Sequence, residues 1–417
     1  MRRAAMRRRW VIAIAVVVLL AAGVAAAGVV MWKQRNPGTI RGSASTEFVS
    51  TEEPGATTRP EREVREIPWP TYGYDDARTR FAADFRLQPP FSRLWRVRAG
   101  SLLEFPPVVA YGRVYVGTNN GRFLAIESET GEIAWQKDFG RCTAASPVVG
   151  DGVVYQGLMD PSPCREHDQD APGFVVAMDA ETGEELWRFR AGVVESSPLL
   201  VDGALYFGSW DKKMYAIDAE TRRVRWTFET GDKIKSAPAY ARETVYFGSY
   251  DGKVYAVDAR SGDLRWEASG VGNFYANPAV AYGRVFVGNT DGRVYAFGAR
   301  SGDLLWARST DDFVYSSAAV WEKTVYAGSY DGHLYALDAG TGDVRWSFDA
   351  QGSISGAATV INGLVYFSTL ERRTFALDAR TGRKVWEFPD GRYTPVAADE
   401  ERLYLIGYKR IYGLEPR

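Results

Sequence analysis

The chain has 417 residues, 46% of them apolar, with 51 basic against 52 acidic side chains. That is enough to bury a large core, and near-neutral charge removes the electrostatic reason to expect a nucleic-acid partner. Two cysteines and two histidines nearly exclude a Cys/His metal cluster, while 42 glycines and 13% aromatics favour a turn-rich, strand-rich protein over a helical one.

In chain order, residues 1–9 form a basic tail carrying Arg2, Arg3, Arg7, Arg8 and Arg9. Residues 10–32, "WVIAIAVVVLLAAGVAAAGVVMW", contain no charge and are long enough to cross a bilayer as one helix. Basic residues concentrate before this span, which predicts a signal-anchor with its N-terminus in the cytoplasm and the remainder outside it. The competing reading is a cleaved signal peptide, since the three alanines at 25–27 suit a peptidase; the length of the apolar run favours the anchor. No cysteine lies near the end of the run, which speaks against a lipidated anchor. Residues 33–66 are rich in Ser, Thr, Pro, Gly and Glu and read as a disordered linker. Residues 67–93, opening with "IPWPTYGYDDARTRF", are a lead-in to the periodic part of the chain.

From residue 94 the chain is periodic. Trp95, Trp135, Trp187, Trp226, Trp266, Trp306, Trp346 and Trp386 are 40, 52, 39, 40, 40, 40 and 40 residues apart. A period near 40 with several short β-rich runs per unit predicts four-stranded propeller blades. One unit reads directly as four strands at 236–241, 244–250, 253–259 and 263–268, the middle two joined by the tight turn signal Asp251-Gly252. Seven segments resemble one another, from "AIESETGEIAW" (125–135) to "ALDAGTGDVRW" (336–346) and "ALDARTGRKVW" (376–386). In the clearest copy, small Ala336 allows close packing, Asp338 accepts backbone N–H groups in the turn, Gly342 takes a positive φ, and Trp346 lays a ring on a neighbouring blade. Each residue has a structural task and none needs a substrate.

This pattern resembles the tryptophan-docking repeat of the pyrroloquinoline quinone (PQQ)-like β-propeller family, over nearly all of residues 94–417. Glu127 and Gly298 stand where the pattern has Asp, Arg222 where it has Gly, and Ser261 and Ser301 where it has Thr. Seven units are complete. The strand around Trp95 lacks its preceding three, and the last three strands stop before their tryptophan. The two partial units complement each other, so the expected fold is all-β: an eight-bladed propeller of four-stranded antiparallel blades, closed by pairing of the N- and C-terminal strands.

The single long spacing marks an insertion at 158–173 that carries Cys164, and Cys142 precedes the first strand of the same blade. Both connections emerge on one face, which predicts a Cys142–Cys164 disulfide in an oxidising compartment. Glu166, His167, Asp168 and Asp170 in the insertion read as a solvated acidic loop rather than a metal site.

The resemblance implies two kinds of relative. Quinone-dependent dehydrogenases have enlarged blades, a bridged pair of adjacent cysteines and a calcium ligand set, and this chain has minimal blades and no Cys-Cys pair. The resemblance is nearer to the non-enzymatic BamB-like members, which implies a scaffold without cofactor, metal or catalytic residues, presenting a face to cell-envelope proteins or peptides. A PQQ-dependent dehydrogenase and a ligand-sensing or glycan-binding module are the alternatives.

Aligning the blades on their tryptophans places one residue per blade at the mouth of the axial channel: Glu104, Ala144, Glu195, Lys235, Tyr275, Tyr315, Ser355 and Arg392. Hairpin tips on the same face add Trp210, Tyr250 and Tyr330. Mixed charges and aromatics on one face suit a protein or peptide surface. Glu104 and Glu195 make a poor hydrolytic pair, because they lie on blades separated by another and no cleft is evident between them. Neither a phosphate-binding glycine loop nor a serine nucleophile elbow occurs.

Overall fold

The computed structural model describes residues 39–41, 66–164, 167–393 and 396–417. The expected membrane span at 10–32 lies outside the described residues, and among the described residues no helix is long and apolar enough to cross a membrane.

Eight sheets form an all-β propeller, each with four antiparallel strands from channel to rim. Blade 1 runs through Val108–Ala110, Arg113–Gly117, Arg122–Glu127 and Ile133–Asp138, and blades 2 to 7 repeat that order. Blade 8 is composite. Val396–Ala398, Leu403–Ile406 and Arg410–Pro416 supply its inner three strands, and Phe91–Arg98 pairs antiparallel with the last of them. The ring is therefore closed by strands more than 300 residues apart in sequence, as the complementary partial units require.

The repeated tryptophan works through two small residues. Across its own sheet it faces alanine in register, as in Ala336↔Trp346 and Ala256↔Trp266, and in blade 8 it faces Gly413. Its ring then covers the turn of the next blade. A Cβ on Gly342 (φ +74°) would stand 2.7 Å from the Trp306 ring, and one on Gly183 (φ +73°) 2.6 Å from Trp135, so these glycines serve both the turn and the contact. The indole N–H donates across the same gap: Trp226 to the Ala259 carbonyl at 2.9 Å, Trp266 to Ala299 at 3.0 Å and Trp306 to Ala339 at 3.1 Å. The turn aspartate binds locally: Asp338 Oδ1 accepts Gly340 and Thr341 N–H, and its Oδ2 accepts Arg345 at 2.7 Å.

The expected disulfide is present between Cys142 and Cys164. It ties the insertion of blade 2 to the loop entering that blade, and His167 is then held at 2.8 Å from Asp160. Most of the expected linker, 33–38 and 42–65, lies outside the described residues. Thr39–Arg41 pairs antiparallel with the outer strand Leu304–Ser309 of blade 5 as a fifth strand, because an outer edge offers unpaired backbone groups to any extended segment.

The lead-in has the largest structural role. Residues 69–82 wind around the channel and meet the inner strands in turn. Backbone N–H groups of Val109, Val149, Tyr240, Val280, Val320 and Val360 donate to the carbonyls of Trp69, Pro70, Asp76, Ala77, Thr79 and Arg80, at 2.7–2.9 Å. Blade 3 is reached by a side chain: Arg78 Nη2 donates to the Pro198 carbonyl at 3.2 Å, while its Nε donates to Pro238 of blade 4 at 2.9 Å. Arg80 donates to the Ala318 carbonyl of blade 6 at 3.0 Å. Phe81–Ala82 runs parallel to Thr359–Ile361 of blade 7, and Phe85 and Leu87 pack into the core shared with blade 8. Arg78 and Arg80 are both fully buried on the axis. Burial and the Arg80 charge pull Arg78 down to about 9, and burial pushes Asp75 up to about 6.

Replacing Arg78 by methionine keeps the apolar stem but leaves the Tyr72, Pro198 and Pro238 carbonyls without this donor. We expect a loss of about 3 kcal/mol or more in chemical denaturation. Arg260→Ala, which breaks an exposed pair with Glu243, should change stability by no more than about 0.5 kcal/mol. Equal effects of the two substitutions would remove the collar formed by residues 69–82 from its structural role.

Candidate binding face at the channel mouth

Above the collar, the loops that enter each blade converge on a small cavity whose floor is Tyr72. Glu104, Lys235, Tyr275, Tyr315, Ser355 and Tyr393 line it, so five of the positions chosen by blade alignment meet there. In the eighth blade Tyr393 takes the lining position expected of Arg392. The loop entering that blade is shorter than its counterparts, and Gly391, at φ +128°, lies against Thr374 and Ser368. Ala144 is buried beside Trp210, Cys142 and Met159 and packs the insertion.

Glu195 is the hub of the charged half. It is 6% exposed, accepts Lys235 Nζ at 2.8 Å and the Trp210 indole N–H at 3.0 Å on Oε2, and receives the Tyr275 hydroxyl at 3.4 Å on Oε1. The Lys235 ammonium lies 4.5 Å from the Trp210 ring centroid, 5.4 Å from Tyr250 and 5.8 Å from Tyr275. Lys233 stands 5.0 Å from the Trp210 and Tyr250 rings. Two ammonium groups thus share aromatic faces with one buried carboxylate, an arrangement that holds Lys235 rigidly.

Glu104 lies in the field of that pair. Burial first, and the Glu195 charge second, push its carboxyl up to about 7, against the opposing pull of Lys235 and His167. The two carboxylates, on blades that are not neighbours, do share the mouth. Lys235 is held on Glu195, so the two carboxylates and the ammonium form one charge cluster at the mouth.

The other half of the mouth is aromatic. Tyr250 meets Tyr275 edge-on at 6.3 Å, Tyr275 meets Tyr315 at 5.1 Å, and Tyr315 meets Tyr330 at 5.2 Å. Phe313, 45% exposed, packs at 5.8 Å on Tyr315 and carries this row to the surface. The Tyr330 hydroxyl donates to Ser355 at 3.1 Å. On the charged side of the mouth, His167 from the insertion meets Trp210 edge-on at 5.8 Å. Alignment identifies each tyrosine singly; that they form one continuous row follows from the side-by-side packing of the consecutive blades 4 to 6.

The cavity encloses about 50 Å³, room for a few water molecules, whereas ligand pockets take roughly 300–1,000 Å³. Its donor set does not fit a quinone cofactor: Tyr72 closes the floor, and the Lys235 ammonium is already paired with Glu195. In the insertion, ligand atoms of Cys142, Asp160 and His167 lie within 4.8 Å of one another, but Cys142 is consumed by the disulfide.

Known proteins share this architecture. The family described as "Outer membrane protein assembly factor BamB" matches residues 91–160, 169–312 and 290–415. A curated relative of that name from Yersinia pestis is 29% identical over 136 residues, 30% of this chain and 31% of its own length. The dehydrogenase subunit of a quinone alcohol dehydrogenase from Komagataeibacter europaeus is 26% identical over 210 residues, 40% of this chain and 26% of its own. The chain thus matches only about a third or less of these relatives' lengths. Among solved structures, BamB from Moraxella catarrhalis superposes with a TM-score of 0.64 at 16% identity, over 78% of this chain and 98% of its own. The quinohemoprotein alcohol dehydrogenase from Comamonas testosteroni reaches 0.68 at 15% identity, over 84% and 80%. At such identities the structural likeness establishes the fold, which both kinds of protein share.

The raised carboxyl of Glu104 has a pH consequence. An acid whose folded-state pKa exceeds its unfolded value binds more protons when folded, so its contribution to stability is complete below about 4.5 and is lost as pH rises through about 7. The melting temperature should therefore fall further between about pH 5 and pH 8 in the wild-type chain than in Glu104→Gln. Parallel pH profiles for the two proteins would contradict the assignment.

Proposed function

The chain belongs to the family of outer membrane protein assembly factor BamB, and on that premise we propose that it is a non-catalytic scaffold of the cell envelope. Its channel-mouth face docks a protein or peptide partner. The uncharged span at 10–32 holds it in the cytoplasmic membrane by a single pass, with the propeller outside the cytoplasm. The Cys142–Cys164 bridge agrees with an oxidising compartment.

The observation that carries this reading is the continuous tyrosine row from Tyr250 to Tyr330, rising to exposed Phe313, backed by the rigid Lys235–Glu195 pair and joined to Trp210 through the Lys235 ammonium. Aromatic anchors beside a pre-ordered charge are what tight protein contacts concentrate on, since little side-chain freedom is lost on binding. A cavity of about 50 Å³ under the row favours a surface that receives a partner over a chamber that encloses a cofactor. The quinone dehydrogenase relatives supply the competing reading.

The test is photocrosslinking of the full chain in cells. A photoreactive residue at Phe313 or Tyr330 should yield adducts with envelope proteins, and one at Val224, exposed on an outer blade edge, should yield none. Adding Tyr315→Ala should lower the adduct yield at Phe313 by about tenfold, as expected for a central aromatic anchor. Absence of mouth-specific adducts, or saturable binding of PQQ with calcium accompanied by dye reduction, would sink the proposal.

A further inference from the structure

A second feature occupies the same face of the propeller, between blades 7 and 8. A cleft of about 450 Å³ is lined by Arg98, Arg372, Lys409 and Arg410, with Tyr408 among them and Asp390 as the one lining carboxylate. The residues come from separate parts of the chain. Arg98 ends the N-terminal strand that closes the ring, Arg372 sits at the hairpin tip of blade 7, and Lys409 and Arg410 sit at that of blade 8.

Three cations share the Tyr408 ring. The Arg372 guanidinium is 4.0 Å from its centroid, that of Arg392 5.1 Å and the Lys409 ammonium 5.3 Å. Like charges this close repel, and the neutral phenol offers only its π-face in return. Asp390 does not balance them, because it is already engaged. Its Oδ1 accepts the Gly391 and Tyr408 N–H groups, its Oδ2 accepts the Tyr412 hydroxyl at 2.7 Å, and the one nearby cation is Arg410 at 3.8 Å. Among the described residues, Arg98, Arg372, Arg392 and Lys409 make no ion pair, and the buried Nε of Arg392 has no hydrogen-bond partner. The chain as a whole carries a net charge of −1, so this positive surplus is local.

We propose that this cleft binds a phosphate-bearing ligand. One carboxylate would be matched by one arginine, whereas a cluster this far in excess calls for a group with several negative oxygens. Arginine forks present paired N–H donors to phosphate oxygens, and the Tyr408 face keeps them oriented. The volume suits a headgroup or a small phosphorylated molecule. These are two sources of one chemistry, and a soluble and a lipid probe separate them. The site uses residues distinct from the aromatic row, so it stands or falls independently of the scaffold reading.

The experiment titrates the detergent-purified full-length chain calorimetrically with inorganic pyrophosphate and with a short-chain, micelle-free phosphatidic acid, at low and at physiological salt. At least one probe should bind saturably and weaken with salt. The double substitution Arg372→Glu, Lys409→Glu, at two exposed positions, should weaken it at least tenfold, while Lys253→Glu on blade 4 leaves it unchanged. Binding of pyrophosphate alone identifies a soluble ligand, and binding of the lipid alone identifies a headgroup. No binding of either probe, equal binding to the double variant, or binding of a polyglutamate peptide in place of both probes overturns the proposal.

Discussion

A propeller blade has two edges, and the inner one is the constraint on which this protein depends. At the rim, unpaired backbone groups face water. Around the axis, eight inner strands crowd together and their outward-facing N–H groups point into a channel too narrow to hydrate them freely. The lead-in resolves this by acting as a shared extra strand, offering carbonyls to Val109, Val149, Tyr240, Val280, Val320 and Val360. It can do so only by bending through several strained or glycine positions, including Gly73 at φ +82° and Arg78 at φ +57°. Buried Arg78 and Arg80 complete the arrangement by donating to the carbonyls of Pro198, Pro238 and Ala318. The desolvation of Arg78 is offset by several carbonyl acceptors and by Asp76 and Asp75, while Arg80 Nη1 donates to two carbonyls and its guanidinium lies 4.7 Å from the Tyr72 ring.

The collar also decides what the channel can be used for. Tyr72 caps it from below, its hydroxyl 3.4 Å from Ser317 and its ring edge-on to Phe105 at 5.9 Å. The mouth is thereby reduced to a shallow bowl. A fold shared with quinone enzymes is in this chain closed at the place where a buried ligand would need depth. What remains is the rim, and the residues that differ between blades are there.

The repeat is legible in the sequence because its chemistry is local. Ala336, Asp338, Gly342 and Trp346 each act within a turn or on the adjoining blade, so spacing alone reveals them. The mouth is legible by arithmetic wherever blades keep the same length, and the count slips by one residue at Tyr393, where the loop is shortened. The collar is not legible. Its partners are equivalent positions in blades 1 to 7, but its own sequence has no period, since some blades are met by its carbonyls and others also or only by the side chains of Arg78 and Arg80. The tip aspartates escape notice for another reason. In "DGKVYA" and its copies, Asp251 pairs with the Tyr255 hydroxyl at 2.7 Å and Asp331 with Tyr335 at 2.8 Å, a four-residue spacing easily absorbed into strand alternation.

Duplication makes blades alike, so asymmetry around the mouth has to come from residues that diverged afterwards. Blades 3 to 6 carry the aromatic row with its buried carboxylate and paired lysine; blades 7 and 8 carry unpaired cations around Tyr408. Tyr408 occupies the hairpin-tip position that Trp210, Tyr250 and Tyr330 occupy elsewhere, so both regions are variations on one scaffold position. The direction of divergence is set by ring closure. Blade 8 is built from both chain ends, so Arg98 can be placed beside Lys409 and Arg410 without disturbing a repeat. The composite blade thus brings an N-terminal residue, Arg98, against the hairpin tips of blades 7 and 8. Glu104, in the loop that comes after Arg98, lines the mouth beside Tyr393, where burial and the Glu195 charge push its carboxyl up to about 7.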